Sequence, residues 1–221
     1  MKTTIARANK EITAISTMQK NLLFCGILSS LLFVFSDIFA SMQWASYSYS
    51  SQNTSELFAI NAPTRNLLVW LLSFYNVLVC LFGFGVITIS TERSLRLSGL
   101  CLIAYAIASE LRLLFFPMHS HEGERAISDN MNIVFTGLVV LSTLLAIGYG
   151  STAFNKKFRS YSIGTIIVLV LFAIATSINN TRIEEGLSTP GLGIFERVYF
   201  LASLLWISVF SIGLLQSRTR S

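Results

Sequence analysis

NLLVWLLSFYNVLVCLFGFGVITIS, residues 66–90, runs for 25 residues without a charge, and TERSLR, residues 91–96, follows it at once with two arginines. A helix needs about 20 apolar residues to cross roughly 30 Å of hydrocarbon, so this run is long enough to span and the arginines mark where it ends. The run is continuous rather than alternating, which argues against a strand of an outer-membrane barrel. Working outward from it, five more stretches of the same kind appear: Asn21 to Ala40, Leu95 to Phe116, Ile127 to Gly150, Tyr161 to Ile178 and Leu192 to Gln216. With 53% hydrophobic and 12% charged residues, the chain has too little polar sequence to cover six such helices in water. The fold class this predicts is an all-α polytopic membrane protein with six transmembrane helices in one bundle. Residues 1–20 form an N-terminal tail, 21–216 the membrane domain and 217–221 a C-terminal tail.

Basic residues sort to alternate connections. Lys2, Arg7, Lys10, Lys20, Arg93, Arg96, Lys156, Lys157, Arg159, Arg218 and Arg220 all fall on one side, and Arg65, Arg125 and Arg182 are the only cations in connections on the other. The positive-inside rule then predicts both termini in the cytoplasm and the inner (cytoplasmic) membrane of the cell as the location. The net charge is +9 on the inner side and −4 elsewhere, which gives the overall +5. The basic character therefore reflects topology and attraction to anionic lipid rather than a nucleic-acid surface. The first apolar run is too long for a secretory h-region and reads as a retained helix. Cys25, Cys80 and Cys101 all fall within spans, where buried inert thiols are expected.

Ionisable side chains inside spans cost ~2.5 to 3.5 kcal/mol each on insertion scales, so they turn inward and find partners. There are five: Asp37, Glu110, Arg112, Glu196 and Arg197. At 1.5 Å per residue, Asp37 is expected ~5 Å, Glu110 ~10 Å and Glu196 ~6 Å below the outer boundary, all in one leaflet. Glu110 and Arg112 are two residues apart and point to nearly opposite sides of their helix, and neighbours Glu196 and Arg197 likewise diverge. Interhelical partners such as Arg112 with Glu196 or Asp37, and Arg197 with Glu110, are therefore expected. Asp129, Asn132 and Thr136 place a polar stripe on the fourth helix, and Tyr75, Asn76 and Tyr105 carry polarity toward the membrane centre. The long first connection, SMQWASYSYSSQNTSELFAINAPTR (41–65), reads as an aromatic belt at the headgroup level or as a lid over an outward-facing cavity.

The third connection, PMHSHEGERAISDNMN (117–132), holds both histidines, His119 and His121, close to Glu122, Glu124 and Asp129. A divalent metal such as zinc would need three or four converging donors, which these residues could supply only with Asp37 or Glu196.

The segments Phe115-Phe116-Pro117-Met118, Ser128-Asp129-Asn130-Met131-Asn132-Ile133-Val134-Phe135-Thr136 and Gly191-Leu192-Gly193-Ile194-Phe195-Glu196-Arg197-Val198, with Trp206, resemble the six-helix prokaryotic membrane proteins of the domain of unknown function 998 family. The likeness extends over roughly Leu22 to Leu215 and implies a bacterial or archaeal integral membrane protein, with no activity attached. That family's pattern commonly carries a histidine where this chain has Asn132, a departure that weakens any proton or metal role there.

Three function classes follow. The leading one is a module that binds or senses a lipid headgroup or small amphiphile in the outer leaflet. Arg112 and Arg197 would meet its phosphate or carboxylate, Asp37, Glu110, Asp129 and Glu196 would hold those arginines, and Asn132 would lie on the same feature. The second is a membrane-embedded hydrolase or transferase acting on lipid, with His119 or His121 as metal ligand or general base. The third is a scaffold in which the charges only order the bundle.

Overall fold

The computed structural model describes residues 16–117, 127–184 and 191–219, and for 127–129, 180–184, 218 and 219 the backbone alone. Among the described residues the chain forms α1 (Thr17–Gln43), a 3-10 turn (Thr54–Phe58), α2 (Arg65–Ile89), α3 (Arg93–Phe115), α4 (Ile127–Gly150), α5 (Lys156–Glu184) and α6 (Leu192–Thr219). All six α-helices contain a segment long and apolar enough to cross a membrane. The chain is a multi-pass membrane protein, with large side chains such as Trp70, Phe74, Leu171 and Leu205 left on the outside of the bundle where lipid would lie.

The expected spans match the helices to within a few residues except the fifth, which extends further at both ends. Its start shows why. Asn155 accepts a hydrogen bond from the Phe158 amide at 3.0 Å, so α5 is capped before Lys156 and includes a basic turn outside the apolar run. At α1, Ser16 and Gln19 form a reciprocal capping box that likewise begins the helix before its hydrophobic stretch.

The helices pack in chain order, α1 on α2, α2 on α3 and α3 on α4, while α5 lies on α6 and α6 returns to α1. Contact of α4 with α5 and α6 is sparse by comparison. Small residues set the closest approaches. A Cβ on Gly99 would sit 2.7 Å from the Gly83 carbonyl oxygen, and one on Gly83 would sit 2.8 Å from the Gly99 oxygen, so α2 and α3 touch backbone to backbone. Toward the end that carries the termini, Phe154, Phe158, Trp206 and Phe210 form a connected ring cluster, and Trp206 donates its indole N–H to Ser162 at 2.9 Å. Cys25, Cys80 and Cys101 are free and half-buried along these helices.

A second, smaller core occupies the opposite end. Leu57 and Phe58 of the 3-10 turn are buried against Ala40 of α1, Leu68 and Leu72 of α2 and Leu113 of α3. The 44–64 connection is therefore packed onto the end of the bundle as a cap.

Gly99→Ala is expected to lower stability by about 1–3 kcal/mol through overpacking at the α2–α3 contact. Thermal unfolding in detergent measures this, with Gly164→Ala, where a Cβ meets nothing within 4 Å, showing no loss.

Candidate functional site

Polar side chains gather beneath the cap in two groups. The first is built on Asp37 of α1 and Arg197 of α6, which are 8% and 6% exposed and so need each other in an apolar surrounding. Arg197 Nε lies 3.0 Å from Asp37 Oδ2 and Nη2 lies 3.1 Å from Oδ1, a two-pronged pair. The remaining donors go to the cap and to α6 itself. Nη2 reaches the Tyr47 hydroxyl at 2.9 Å, and Nη1 reaches the Tyr49 carbonyl at 2.6 Å and the Gly193 carbonyl at 3.2 Å. With the Gln52 carbonyl at 3.4 Å from Nη1, the five N–H groups have six acceptors, and the guanidinium is saturated within the protein.

Both tyrosines complete this clamp. Tyr47 donates its hydroxyl to the Asn53 carbonyl at 2.8 Å, and Tyr49 donates to Asp37 Oδ2 at 2.8 Å while its ring lies 3.5 Å from the Arg197 guanidinium carbon. Burial pushes both hydroxyls above the usual tyrosine range, so they stay protonated and available as donors at neutral pH. Gly193 makes room for the arrangement. A Cβ there would lie 2.6 Å from the Tyr49 carbonyl oxygen and 2.9 Å from Arg197 Nη1. Gly191, at φ +85°, takes the left-handed backbone that opens α6, and its carbonyl accepts the amides of Ile194 and Phe195. A shallow cleft of about 30 Å³ beside the pair is lined by Phe33, Val34, Phe200 and Leu204.

The second group is Arg112 of α3 with Glu196 of α6. Arg112 lies under the cap with its guanidinium carbon 5.4 Å from the centre of the Phe58 ring, and its Nε is buried without a hydrogen-bond partner. Glu196 accepts the backbone N–H of Thr54. Each acts electrostatically on the other, yet no ion pair forms between them.

Glu110 takes a different direction. Its carboxylate accepts Ser73 at 2.7 Å and Asn76 at 2.8 Å, so it ties α3 to α2. The divergence expected from helix geometry therefore holds at both positions, Glu110 from Arg112 and Glu196 from Arg197, but Arg197 pairs with Asp37 rather than Glu110. Asn132 donates its amide to the Phe116 carbonyl, and Thr136 donates to the Asn132 carbonyl at 2.8 Å, so this part of the α4 stripe joins α4 to the end of α3. Asp129 lies in the backbone of α4 with its side chain outside the described atoms, and His119 and His121 lie outside the described residues. Among the described residues, no group of three or more His, Cys, Asp or Glu side chains is placed to hold a metal ion. Deeper in the bundle the hydroxyls of Tyr75 and Tyr105 share a 2.8 Å hydrogen bond, and that of Tyr199 is buried without one.

The Thr54 amide and the carbonyl of Tyr49 are the parts of this site that residue types do not announce. The one sequence signal for them is Gly193, a small residue one turn before Arg197.

Six apolar helices capped at one end by a packed connection over inward-facing charges define a helical multi-pass membrane protein with a cluster of charged and polar side chains beneath that cap. A family model described as a protein of unknown function (DUF998) matches residues 27–213, and the chain belongs to that family. No curated protein and no solved structure matches it.

Asp37→Asn leaves the Arg197 charge buried beside a neutral amide and is expected to cost about 3–5 kcal/mol. Gly193→Ala pushes the cap away by a milder overpacking loss of about 1–3 kcal/mol. Both should appear as lower thermal midpoints and faster proteolysis within residues 44–64, read by mass spectrometry of the fragments.

Proposed function

We propose that the protein binds the anionic group of a membrane amphiphile, a lipid headgroup, in the extracytoplasmic half of the cytoplasmic membrane, with both termini inside. The single observation that carries this reading is Arg112. A guanidinium held in the half of the bundle under the cap, with a buried Nε lacking any acceptor, leaves a charged donor uncompensated, and such a group costs more than an ordinary unmade hydrogen bond. An incoming phosphate or carboxylate oxygen supplies the missing acceptor and neutralises the charge.

Arg197 takes the complementary part. Its donors are spent on Asp37, Tyr47, Tyr49 and Gly193, so it fixes the cap instead of meeting the ligand. Phe58 then lies against Arg112 because Leu57 and Phe58 are anchored in the small core beneath the cap.

Reporter fusions at either terminus should be active only as cytoplasmic reporters, and a cysteine placed at exposed Ser50 should react with a membrane-impermeant maleimide added outside intact cells. Labelling only after permeabilisation would reverse the orientation. For binding, native mass spectrometry of the detergent-purified protein with added anionic phospholipid is expected to show retention that falls at least about tenfold in Arg112→Gln, about 1.4 kcal/mol. Lys157→Gln, exposed at the other end, should retain lipid as the unmodified chain does. Unchanged retention in Arg112→Gln overturns the reading.

A further inference from the structure

The site under the cap holds a cation and an anion that do not neutralise each other, and the reason is geometric. Glu196 is pinned by the amide of Thr54, the first residue of the 3-10 turn, and Arg112 lies against the ring of Phe58, the last. A 3-10 helix rises about 2 Å per residue, so the two anchoring points stand ~8 Å apart along one rigid turn. That turn is itself fixed, because Leu57 and Phe58 are buried in the small core and Thr64 donates its hydroxyl to the Leu57 carbonyl at 2.6 Å. One short element thus holds both charges and keeps them from closing on each other.

Hydrogen-bonding capacity is left over on both side chains beneath this one turn. Glu196 Oε2 is used by Thr54, whereas Oε1 accepts no hydrogen bond from another described residue. On Arg112 the buried Nε lacks an acceptor, and among the described residues none accepts from Nη1 or Nη2. A simple anion on Arg112 would feel the repulsion of Glu196, and a simple cation on Glu196 would feel that of Arg112. A ligand with both charges a short tether apart meets neither penalty.

We propose that the ligand is zwitterionic, an amphiphile whose phosphate is taken by Arg112 and whose primary ammonium is taken by Glu196 Oε1. The inference rests on the headgroup reading above and deepens it. A primary ammonium carries N–H donors for the free carboxylate oxygen, which a quaternary ammonium lacks. Recognition of a quaternary ammonium relies instead on aromatic faces, and the Phe58 ring at this site is already occupied by Arg112.

The test uses the full chain in native mass spectrometry or in nanodiscs, with phosphatidylethanolamine, phosphatidylglycerol and phosphatidylcholine of identical tails as probes. The unmodified protein should retain phosphatidylethanolamine at least about tenfold over each of the others. Glu196→Gln, whose amide oxygen can still accept from Thr54, should lose the preference over phosphatidylglycerol while still holding lipid, and Arg112→Gln should lose all three. Phosphatidylglycerol retained as well as or better than phosphatidylethanolamine by the unmodified protein overturns the zwitterion proposal, whatever the variants do. An unchanged ratio in Glu196→Gln also overturns it and leaves anion binding at Arg112 standing. No retention of any probe, or full retention in Arg112→Gln, removes the headgroup reading and this proposal together. Glycerophosphoethanolamine, the same headgroup without tails, competing equally at equal concentration would keep the zwitterion and overturn its assignment to lipid.

Discussion

The ion pair between Asp37 and Arg197 is the constraint on which the capped end of the bundle depends. It joins the first helix to the last, and the same guanidinium extends to the cap through the Tyr47 hydroxyl and the Tyr49 carbonyl. Two charges withdrawn from water repay their desolvation only when the geometry is good and every remaining donor is satisfied. Both conditions hold at Arg197. Because that side chain is complete, the cap has one position, and because the cap has one position, Thr54 and Phe58 reach Glu196 and Arg112 from fixed points.

The two arginines inside the spans show how similar residues come to play opposite parts. Arg197 is enclosed by acceptors and organises structure, whereas Arg112, on α3, has an aromatic ring against it and an acid within its field but a buried Nε without a hydrogen-bond partner. Burial alone does not distinguish them; the accounting of donors and acceptors does. The same accounting assigns Glu110, which is satisfied by Ser73 and Asn76, to the joining of α2 and α3.

Much of this was legible in the sequence. Length and hydropathy located six helices, and the 100° step of a helix separated Glu110 from Arg112 and Glu196 from Arg197 without any coordinates. The 41–65 connection was harder to read, since its serines and asparagines look like solvated loop while Leu57 and Phe58, in an apolar run of only four residues (57–60), hold it in place. Partner choice was not legible either, because it turns on backbone groups, the Thr54 amide and the Tyr49 carbonyl, that every residue type possesses. Asn132 and Thr136 had the spacing of a functional stripe, yet a polar stripe at a helix contact serves equally well to fasten that contact, and the described bonds of these two do so.

Asp37 and Arg197 are 160 residues apart in the chain. A ribosome delivers α1 first and α6 last, so the aspartate enters the bilayer well before its counter-ion exists. Through the insertion of four intervening helices that side chain lacks its counter-ion, and the cap cannot seat on the pair until α6 is present. Seating of the cap on this pair therefore waits for α6, and a chain cut before that helix is left with the Asp37 side chain unmatched.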